Sequence, residues 1–483
     1  MKRLWLLFIV TVILSAGCEK TLDFTIKDKI TLDNFYQNKD DAIAAVNAVY
    51  NDLGAVELYC SSLWLIQDIA SDDFDALSTW NDPNAHQLDQ YTIQATNNYL
   101  TGIWQYSYIG ISHANVAIKK IPDIEMDEDI KSRLLGEARF LRGLYYFNLV
   151  RLYGDVPLIF EPASTIEKYL VGRAPAADVY DAIISDLTAA SENLPLSYTG
   201  SDRGRATKGA ALGMLSKVYL TREQWDLAAS AARQVMDLEE EGIYGLHPNY
   251  ADVFKEKNKN GLEAVFQVQF YTGSQPENTR IVISGLPSIP PFPAGVSMIL
   301  PTGDLLASFD SGDYRYDVTF FTEYFYFQTY TFSPHVWKHW DRDAYKASQT
   351  GQSGANFPVM RYAEILLIYA EALNELNNGP TQEAYDALNR IRERARNGDT
   401  GVLPDLSGLS LADFREAVLK EKRCETVNEG QRWFDLARTG NLVEYVKRAK
   451  GAKANPTEFN LVFPIPQREL DINDKLVQNP GNW

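Results

Sequence analysis

Two stretches of the chain carry the apolar spacing of paired amphipathic helices, and this pattern restricts the fold more than any other feature. In the first stretch, Leu215 and Tyr219 share the face of one helix, and Trp225, Ala228 and Ala232 share the face of the next. These offsets are typical of a tetratricopeptide repeat. A single helix pair cannot bury its apolar face alone, so the pairs must stack on neighbours.

The second stretch lies further along the chain. Ile365 and Tyr369 precede a break at Pro380, after which a second apolar stripe follows. Helical spacing also predicts a helix that begins after Asn38 and another that ends at Gly154. We therefore predict a mainly α-helical protein with about four tetratricopeptide-like helix pairs, the first two less regular than the last two.

Between the two stretches the composition changes. Phe266 and Val268 alternate with Gln267 and Gln269, which predicts a strand. The residues that follow are rich in glycine, proline, serine and aromatic residues and show no helical period, and long ordered loops are usually functional. We predict an irregular, loop-rich lobe with short strands. The helical scaffold spans about 30–260 and 359–445, and the variable ligand-binding lobe spans about 261–358.

The first residues have the form of an export signal. Lys2 and Arg3 precede an apolar run over 4–14, and small residues lead to Cys18, as in a bacterial lipobox. This predicts that residues 1–17 are removed, that Cys18 is lipidated, and that 18–483 forms one domain. Ser15 stands where such signals prefer leucine, so a secretory signal with a chance cysteine is the alternative. We expect a tethered protein, because no other apolar stretch is long enough to cross a bilayer.

Charge and cysteine usage exclude some classes of function. The net charge of −18 argues against nucleic-acid binding, which requires clustered lysine and arginine. If Cys18 carries lipid, Cys60 and Cys424 remain, either as two buried thiols or as a disulfide.

Four motifs, spread from end to end of the chain, resemble those of the SusD/RagB family in order and spacing. They are DNFY at 33–36, RYAEILLIYAEA at 361–372, EKR at 421–423 with EGQRWFDL at 429–436, and FPIP at 463–466 with QNPG at 478–481. The resemblance implies a surface-exposed lipoprotein of the outer membrane that caps a TonB-dependent β-barrel transporter (SusC-like). Lid and barrel together import oligosaccharides or, in some members, peptides. It implies no cofactor and no enzymatic activity.

Charged residues dominate these motifs. A buried charge persists only beside a partner, so we interpret them as an ion-pair network inside packed helices. The residues concerned are Arg361, Glu364, Glu371, Glu421, Arg423, Glu425 and Arg432.

A glycan site requires flat aromatic faces flanked by polar side chains. Trp80 and Asn81 lie in a polar loop with Asp73, where the family commonly places ligand contacts. Tyr324, Tyr326 and Gln328 alternate, which predicts a strand with one aromatic face. The remaining candidate contacts are Tyr271, Phe292, Trp337 and Trp340.

Catalytic and metal-binding motifs are weak. His335 and His339 are four residues apart, but the third ligand of a zinc motif is missing, so we predict no metal site. A glycosidase needs two carboxylates, and among 64 acidic residues a pair such as Asp73 with Asp341 can always be imagined. We expect a glycan-binding protein. The alternatives are a peptide-binding member of the family, a glycoside hydrolase and a protein-binding repeat scaffold.

Overall fold

The computed structural model describes residues 35–162, 165, 168–271, 279–345 and 353–483. The predicted signal segment and Cys18 lie outside the described residues. Within these ranges, no helix combines the length and apolar character needed to cross a membrane.

Helices make up most of the described chain. The first eight are α1 (Lys39–Leu53), α2 (Ser62–Ile69), α3 (Pro83–Gln90), α4 (Asn98–Lys120), α5 (Glu128–Tyr153), α6 (Ala176–Asn193), α7 (Lys208–Thr221) and α8 (Trp225–Asp237). The next three are short: α9 (Ile281–Gly285), α10 (Gly303–Ser308) and α11 (Tyr314–Thr319). The last six are α12 (Tyr362–Leu376), α13 (Gln382–Ala395), α14 (Leu411–Thr426), α15 (Arg432–Arg438), α16 (Leu442–Lys450) and α17 (Gln467–Ile472).

The strands are short and form two-stranded antiparallel pairs. They are β1 (Phe74–Ala76), β2 (Ala264–Val268), β3 (Ile299–Pro301), β4 (Phe320–Tyr326), β5 (Gln328–Val336) and β6 (Phe357–Arg361). Their pairings are β1 with β3, β2 with β6, and β4 with β5. The predicted class, a mainly helical protein with short strands, is confirmed.

The long helices pack in sequence as a continuous stack. Helix α4 packs on α5, α5 on α6, α6 on α7 and α7 on α8. Helix α8 then packs on α12, although more than a hundred residues separate them. The two predicted helix pairs are therefore α7 with α8 and α12 with α13. The predicted helix start at Asn38 and end at Gly154 are also confirmed, since Asn38 caps α1 and Gly154 follows α5.

Because α8 and α12 are neighbours, the chain between them is an insertion into the stack. β2 and β6 lie near its two ends and pair with each other, with Val268 opposite Phe357 and Ala264 opposite Arg361. This pairing forms a stem that returns the chain to the scaffold beside the point where it left. The segment between these strands carries β4, β5 and the short helices α9 to α11.

A buried network of charges joins the stem to the scaffold. The Arg361 guanidinium, at the end of β6, donates to Glu263 at 2.6 Å, to Glu425 at 2.8 Å and to Glu429 at 2.8 Å and 2.9 Å. Arg394 and Arg315 also contact the Glu425 carboxylate. These guanidiniums hold the pKa of Glu425 well below its usual range despite the opposing effect of burial.

The predicted ion-pair network is confirmed, and its partners become visible. Arg423 pairs with Asp73 at 2.6 Å, and Arg432 pairs with Asp72 at 2.9 Å. Glu371, at the edge of the network, pairs with Arg438.

As for the two cysteines, both Cys60 and Cys424 are buried, and no disulfide links them in the described chain.

Removal of the central guanidinium should destabilise the protein strongly. We expect Arg361→Ala to lower the free energy of unfolding by about 3–5 kcal/mol, because it leaves buried carboxylates without their partner. Urea unfolding followed by circular dichroism measures the change. The control is Arg233→Ala, which breaks an exposed pair with Asp237 and should cost about 0–1 kcal/mol. Equal losses in the two variants would contradict the central role of Arg361.

The stability should also fall in mild acid through His339. Burial, aided by Lys338, lowers the pKa of His339 to about 4, against about 6.5 in an unfolded chain. Between these values the unfolded state binds a proton that the folded state does not. The contribution of His339 to the free energy of unfolding is therefore complete above about pH 6.5 and is lost as the pH falls toward 4. We expect His339→Gln to lose less stability than the wild type over this range, measured from urea midpoints.

His113 provides a control of opposite sign. A hydrogen bond to Asp52 at 2.7 Å raises the pKa of His113. Its contribution is complete below the unfolded pKa and is lost as the pH rises through the folded pKa. His113→Gln should therefore make the protein more sensitive to acid, not less. Parallel pH profiles for the two variants would refute the assignment.

Candidate functional site

The lobe presents a two-stranded hairpin, β4–β5, whose base is buried and whose tip projects into solvent. The aromatic side chains of the base pack on Phe292, which lies 5.1 Å from Tyr324 and 5.7 Å from Trp340 between ring centroids. Tyr324 and Trp340 are themselves 5.6 Å apart. The three predicted residues are thus brought together, but as a packed cluster that supports the hairpin.

Burial corrects two of the predicted contacts in this cluster. Phe292 is 1% exposed and Trp340 is 4% exposed, so neither ring offers a face to a ligand. Sequence spacing did not reveal this, because neither residue lies in a regular element whose buried face can be counted. Both rings pack beneath the hairpin through their contacts with Tyr324.

Trp337 is half-buried and has its ring already covered. Phe321 stacks on it at 4.5 Å with an interplanar angle of 4°, and the Arg342 guanidinium lies 3.7 Å from a ring centroid. Its indole N–H donates to the carbonyl of Asp317 at 3.0 Å. The indole is therefore held by a stacked ring, a guanidinium and a hydrogen bond at its polar edge, which is the arrangement of a support residue.

Asp73 is also corrected. Its carboxylate is 1% exposed and accepts from Arg423 at 2.6 Å, so it belongs to the buried charge network. The sequence around Asp73 is polar enough to read as a surface loop. Its partner Arg423 lies on α14, 350 residues further along the chain, and this ion pair holds the loop in the interior.

Trp80 and Asn81 do lie at the surface, in the turn that follows β1. Trp80 is half-buried and Asn81 is exposed. The turn is held firmly: the Trp80 carbonyl accepts from the backbone N–H of Asp82 at 2.8 Å, and Asp82 caps α3. The Tyr99 hydroxyl donates to the other Asp82 oxygen at 2.6 Å. A partly exposed indole on a rigid turn has the geometry of a stacking platform.

Short contacts connect this turn to the hairpin. The backbone N–H of Leu77 donates to the carbonyl of Met298 at 3.2 Å, and the adjacent Ser297 hydroxyl lies 3.1 Å from a ring nitrogen of His335 on β5. The Trp80 turn and the base of the hairpin therefore flank the same segment of the lobe. We define the candidate ligand surface as Trp80, Asn81 and the exposed tip of the hairpin.

The tip exposes three consecutive aromatic residues. Phe325 is 73% exposed, Tyr326 is 39% exposed and Phe327 is 88% exposed. Tyr326 and Phe327 make a T-shaped contact at 4.6 Å. Phe325 and Phe327 were not predicted. The signal available in the sequence was the run of aromatics itself, without the turn that places it at a tip.

The turn also differs from the sequence prediction. Tyr326 pairs with Gln328 across the hairpin, so Gln328 begins β5 and does not continue β4 as predicted. Phe327 lies between them with φ +61°, in the left-handed region that aromatic residues rarely adopt. Such strain is concentrated at functional sites, and here it turns an aromatic ring outward where glycine would be expected.

Tyr271 lies elsewhere. It is 69% exposed and lines a separate cavity of about 520 Å³ beside α1, together with Tyr106, Arg203 and Gln269. The predicted set of contacts is therefore split between two surfaces.

The candidate ligand surface is suited to a neutral ligand. The residues 324–334 include no charged side chain, and they provide aromatic rings and hydroxyl or amide groups. Such groups stack on aliphatic C–H patches and form hydrogen bonds with hydroxyls. Among the described residues, no cluster of histidine, cysteine or carboxylate side chains is arranged to bind a metal ion, and His339 instead contacts the Asn428 carbonyl.

Comparison with known proteins identifies the family. The SusD family model matches residues 322–483, and a second model, described as starch-binding and associating with the outer membrane, matches residues 27–220. This chain belongs to the SusD/RagB family. The resemblance found in the motifs is thereby confirmed.

Whole-chain relatives agree with this assignment. SusD-like protein P2 of Formosa agariphila is 29% identical over all of this chain and all of its own. A solved laminarin-binding SusD-like protein is 28% identical, with a TM-score of 0.80 over 92% of this chain and 100% of its own. A SusD superfamily protein from Parabacteroides distasonis is 27% identical, with a TM-score of 0.80 over 94% of this chain and 100% of its own. One of these relatives is named as laminarin-binding and the second family model is described as starch-binding, so the prediction that the chain is not an enzyme is confirmed.

Relief of the strain at Phe327 should stabilise the hairpin. We expect Phe327→Gly to raise the free energy of unfolding by about 1 kcal/mol, since the left-handed conformation costs a non-glycine residue about 1–2 kcal/mol. Urea unfolding measures the change. Phe325→Gly is the matched control, because Phe325 is exposed in a regular strand, where glycine costs about 0.5–1 kcal/mol. A loss of stability in both variants would show that the backbone at Phe327 is not strained.

Proposed function

We propose that this SusD/RagB-family protein binds a neutral glycan, without chemical change, on the candidate ligand surface. The observation that carries the proposal is the exposed, uncharged aromatic tip of the β4–β5 hairpin, with the partly exposed indole of Trp80 as a second aromatic surface. The name of the 28%-identical laminarin-binding relative supports a glycan as the class of ligand. Stacking on a few rings gives modest affinity, which suits a protein that must release its ligand.

The wider assembly is part of the same proposal. We place the protein at the outer membrane, anchored through a lipid on Cys18, where it passes the glycan to a TonB-dependent β-barrel transporter. The description of the second family model, which names outer-membrane association, supports the location. In this arrangement 18–483 is a single domain whose lobe, about 261–358, contributes most of the ligand surface.

Affinity electrophoresis tests the proposal. We expect laminarin or another neutral polysaccharide to retard the purified protein, without release of reducing ends from the same mixture. Reducing ends in proportion to protein would indicate a hydrolase instead. Retardation by none of the polysaccharides would reject glycan binding, and a peptide array would then test the alternative ligand class.

Variants locate the site. We expect Trp80→Ala and Tyr326→Ala each to weaken binding by roughly tenfold, equivalent to about 1.4 kcal/mol, because each removes a stacking face. Phe459→Ala is the control, since Phe459 is 55% exposed but lies outside the lobe. If retardation persists unchanged in the double variant Trp80→Ala/Tyr326→Ala, the glycan binds at another surface. Tyr271→Ala would then test the cavity beside α1.

A further inference from the structure

A second cavity lies within the helical scaffold, away from the candidate ligand surface. It has a volume of about 240 Å³ and lies where the end of α5 meets α6, α7, α14 and α15. Its charged walls are Arg151, Lys217, Lys422, Asp435 and Arg438. Four cations thus face this space, with one carboxylate among them.

Part of this positive charge is neutralised by carboxylates that pair with the lysine side chains. Lys217 contacts a Glu364 oxygen at 2.8 Å, and Lys422 lies 3.4 Å from the same oxygen. Lys422 also pairs with Asp435 at 2.9 Å. The ammonium groups of Lys217 and Lys422 are therefore held close together by a shared carboxylate.

The series continues on α15. Arg438 lies 3.0 Å from the Asp435 oxygen and 2.6 Å from Glu371. Three cations thus alternate with three carboxylates, and this series is neutral as a whole. Because this series carries no surplus negative charge, it does not compensate the charge of the fourth cation, Arg151.

Arg151 has no carboxylate of its own. Its guanidinium donates to the carbonyl of Phe147 at 3.1 Å and to the side chain of Asn148 at 2.9 Å. The rings of Phe147 and Phe434 lie against it at 3.8 Å and 3.6 Å. No carboxylate of the described chain lies within ion-pair distance of Arg151. The other terminal nitrogen of Arg151 makes no hydrogen bond within the described chain, and Arg151 lines the cavity.

The electrostatic cost of this arrangement is visible in the neighbouring groups. Burial lowers the pKa of Arg151 to about 10 and the pKa of Lys217 to about 8, because the charged forms are deprived of water. The network around Arg361 differs, since five cations there face five carboxylates. The cations are Arg315, Lys338, Arg361, Arg392 and Arg394, and the carboxylates are Glu263, Asp313, Glu421, Glu425 and Glu429.

We propose that this cavity binds a small tetrahedral oxyanion, sulfate or phosphate, between the Arg151 guanidinium and the Lys217 ammonium group. A guanidinium presents paired N–H donors that match the oxygens of such an anion. Lys217 has three donors, of which Glu364 and Gln431 use two. The anion supplies the negative charge that the surrounding carboxylates leave missing.

Equilibrium dialysis with radiolabelled sulfate tests the proposal on the purified protein. Direct counting is preferable to thermal melting, because sulfate stabilises proteins in general by exclusion from their surface. We expect about one sulfate per chain, displaced by unlabelled phosphate or sulfate but not by chloride at equal ionic strength. Stronger displacement by phosphate or by sulfate identifies the preferred oxyanion. Absence of bound sulfate, together with absence of bound radiolabelled phosphate in a parallel dialysis, would overturn the proposal.

Variants distinguish this cavity from other cationic surfaces. We expect Arg151→Gln to weaken sulfate binding by roughly tenfold or more, and Arg233→Gln, on the exposed side of α8, to leave it unchanged. Unchanged binding in Arg151→Gln would overturn the proposal. If that variant does not fold, Thr221→Glu replaces it, because Thr221 lines the cavity and its glutamate would provide an internal anion. Sulfate binding by Thr221→Glu equal to that of the wild type would be equally decisive against the site.

Discussion

The Glu425 carboxylate is the point on which the arrangement of the whole molecule depends. It accepts from Arg361 at the end of the lobe stem, from Arg394 on α13 and from Arg315 within the lobe. One side chain of α14 thereby fixes three elements that are distant in sequence. A buried carboxylate tolerates no loss of these partners, so the position of the lobe on the scaffold is set by charge as well as by apolar packing.

The candidate ligand surface inherits its rigidity from this core. Lys338, which follows β5, contacts Glu429 at 2.6 Å, and Arg361 contacts the same carboxylate. The base of the hairpin is thus tied to the network, and Tyr324 of β4 packs on the buried rings of Phe292 and Trp340. The tip can remain exposed and apolar because the rest of the lobe does not depend on it. Binding rings on a rigid support lose little entropy when a ligand arrives.

The sequence predicted the scaffold well and the site only in part. Helix pairs follow from local periodicity, and the motif around Arg361 carries its own indication of buried charge. The identity of the partners does not, because Glu263 and Lys338 reach Arg361 and Glu429 only through the tertiary fold. Asp73 was assigned to the ligand for the same reason, since the pairing with Arg423 has no local signature. Aromatic residues in irregular segments give no period from which burial can be read.

The stem formed by β2 and β6 has a consequence for how such a protein can diversify. The chain leaves α8 and returns to α12 through paired strands, and α8 packs directly on α12. A different segment could therefore replace the one between β2 and β6. The charge network sets the condition: the incoming segment must bring cations equivalent to Arg315 and Lys338, or Glu425 and Glu429 would be left buried without sufficient counter-charge. The rest of the lobe sequence, and with it the ligand surface, could therefore vary as long as these buried ion pairs are kept.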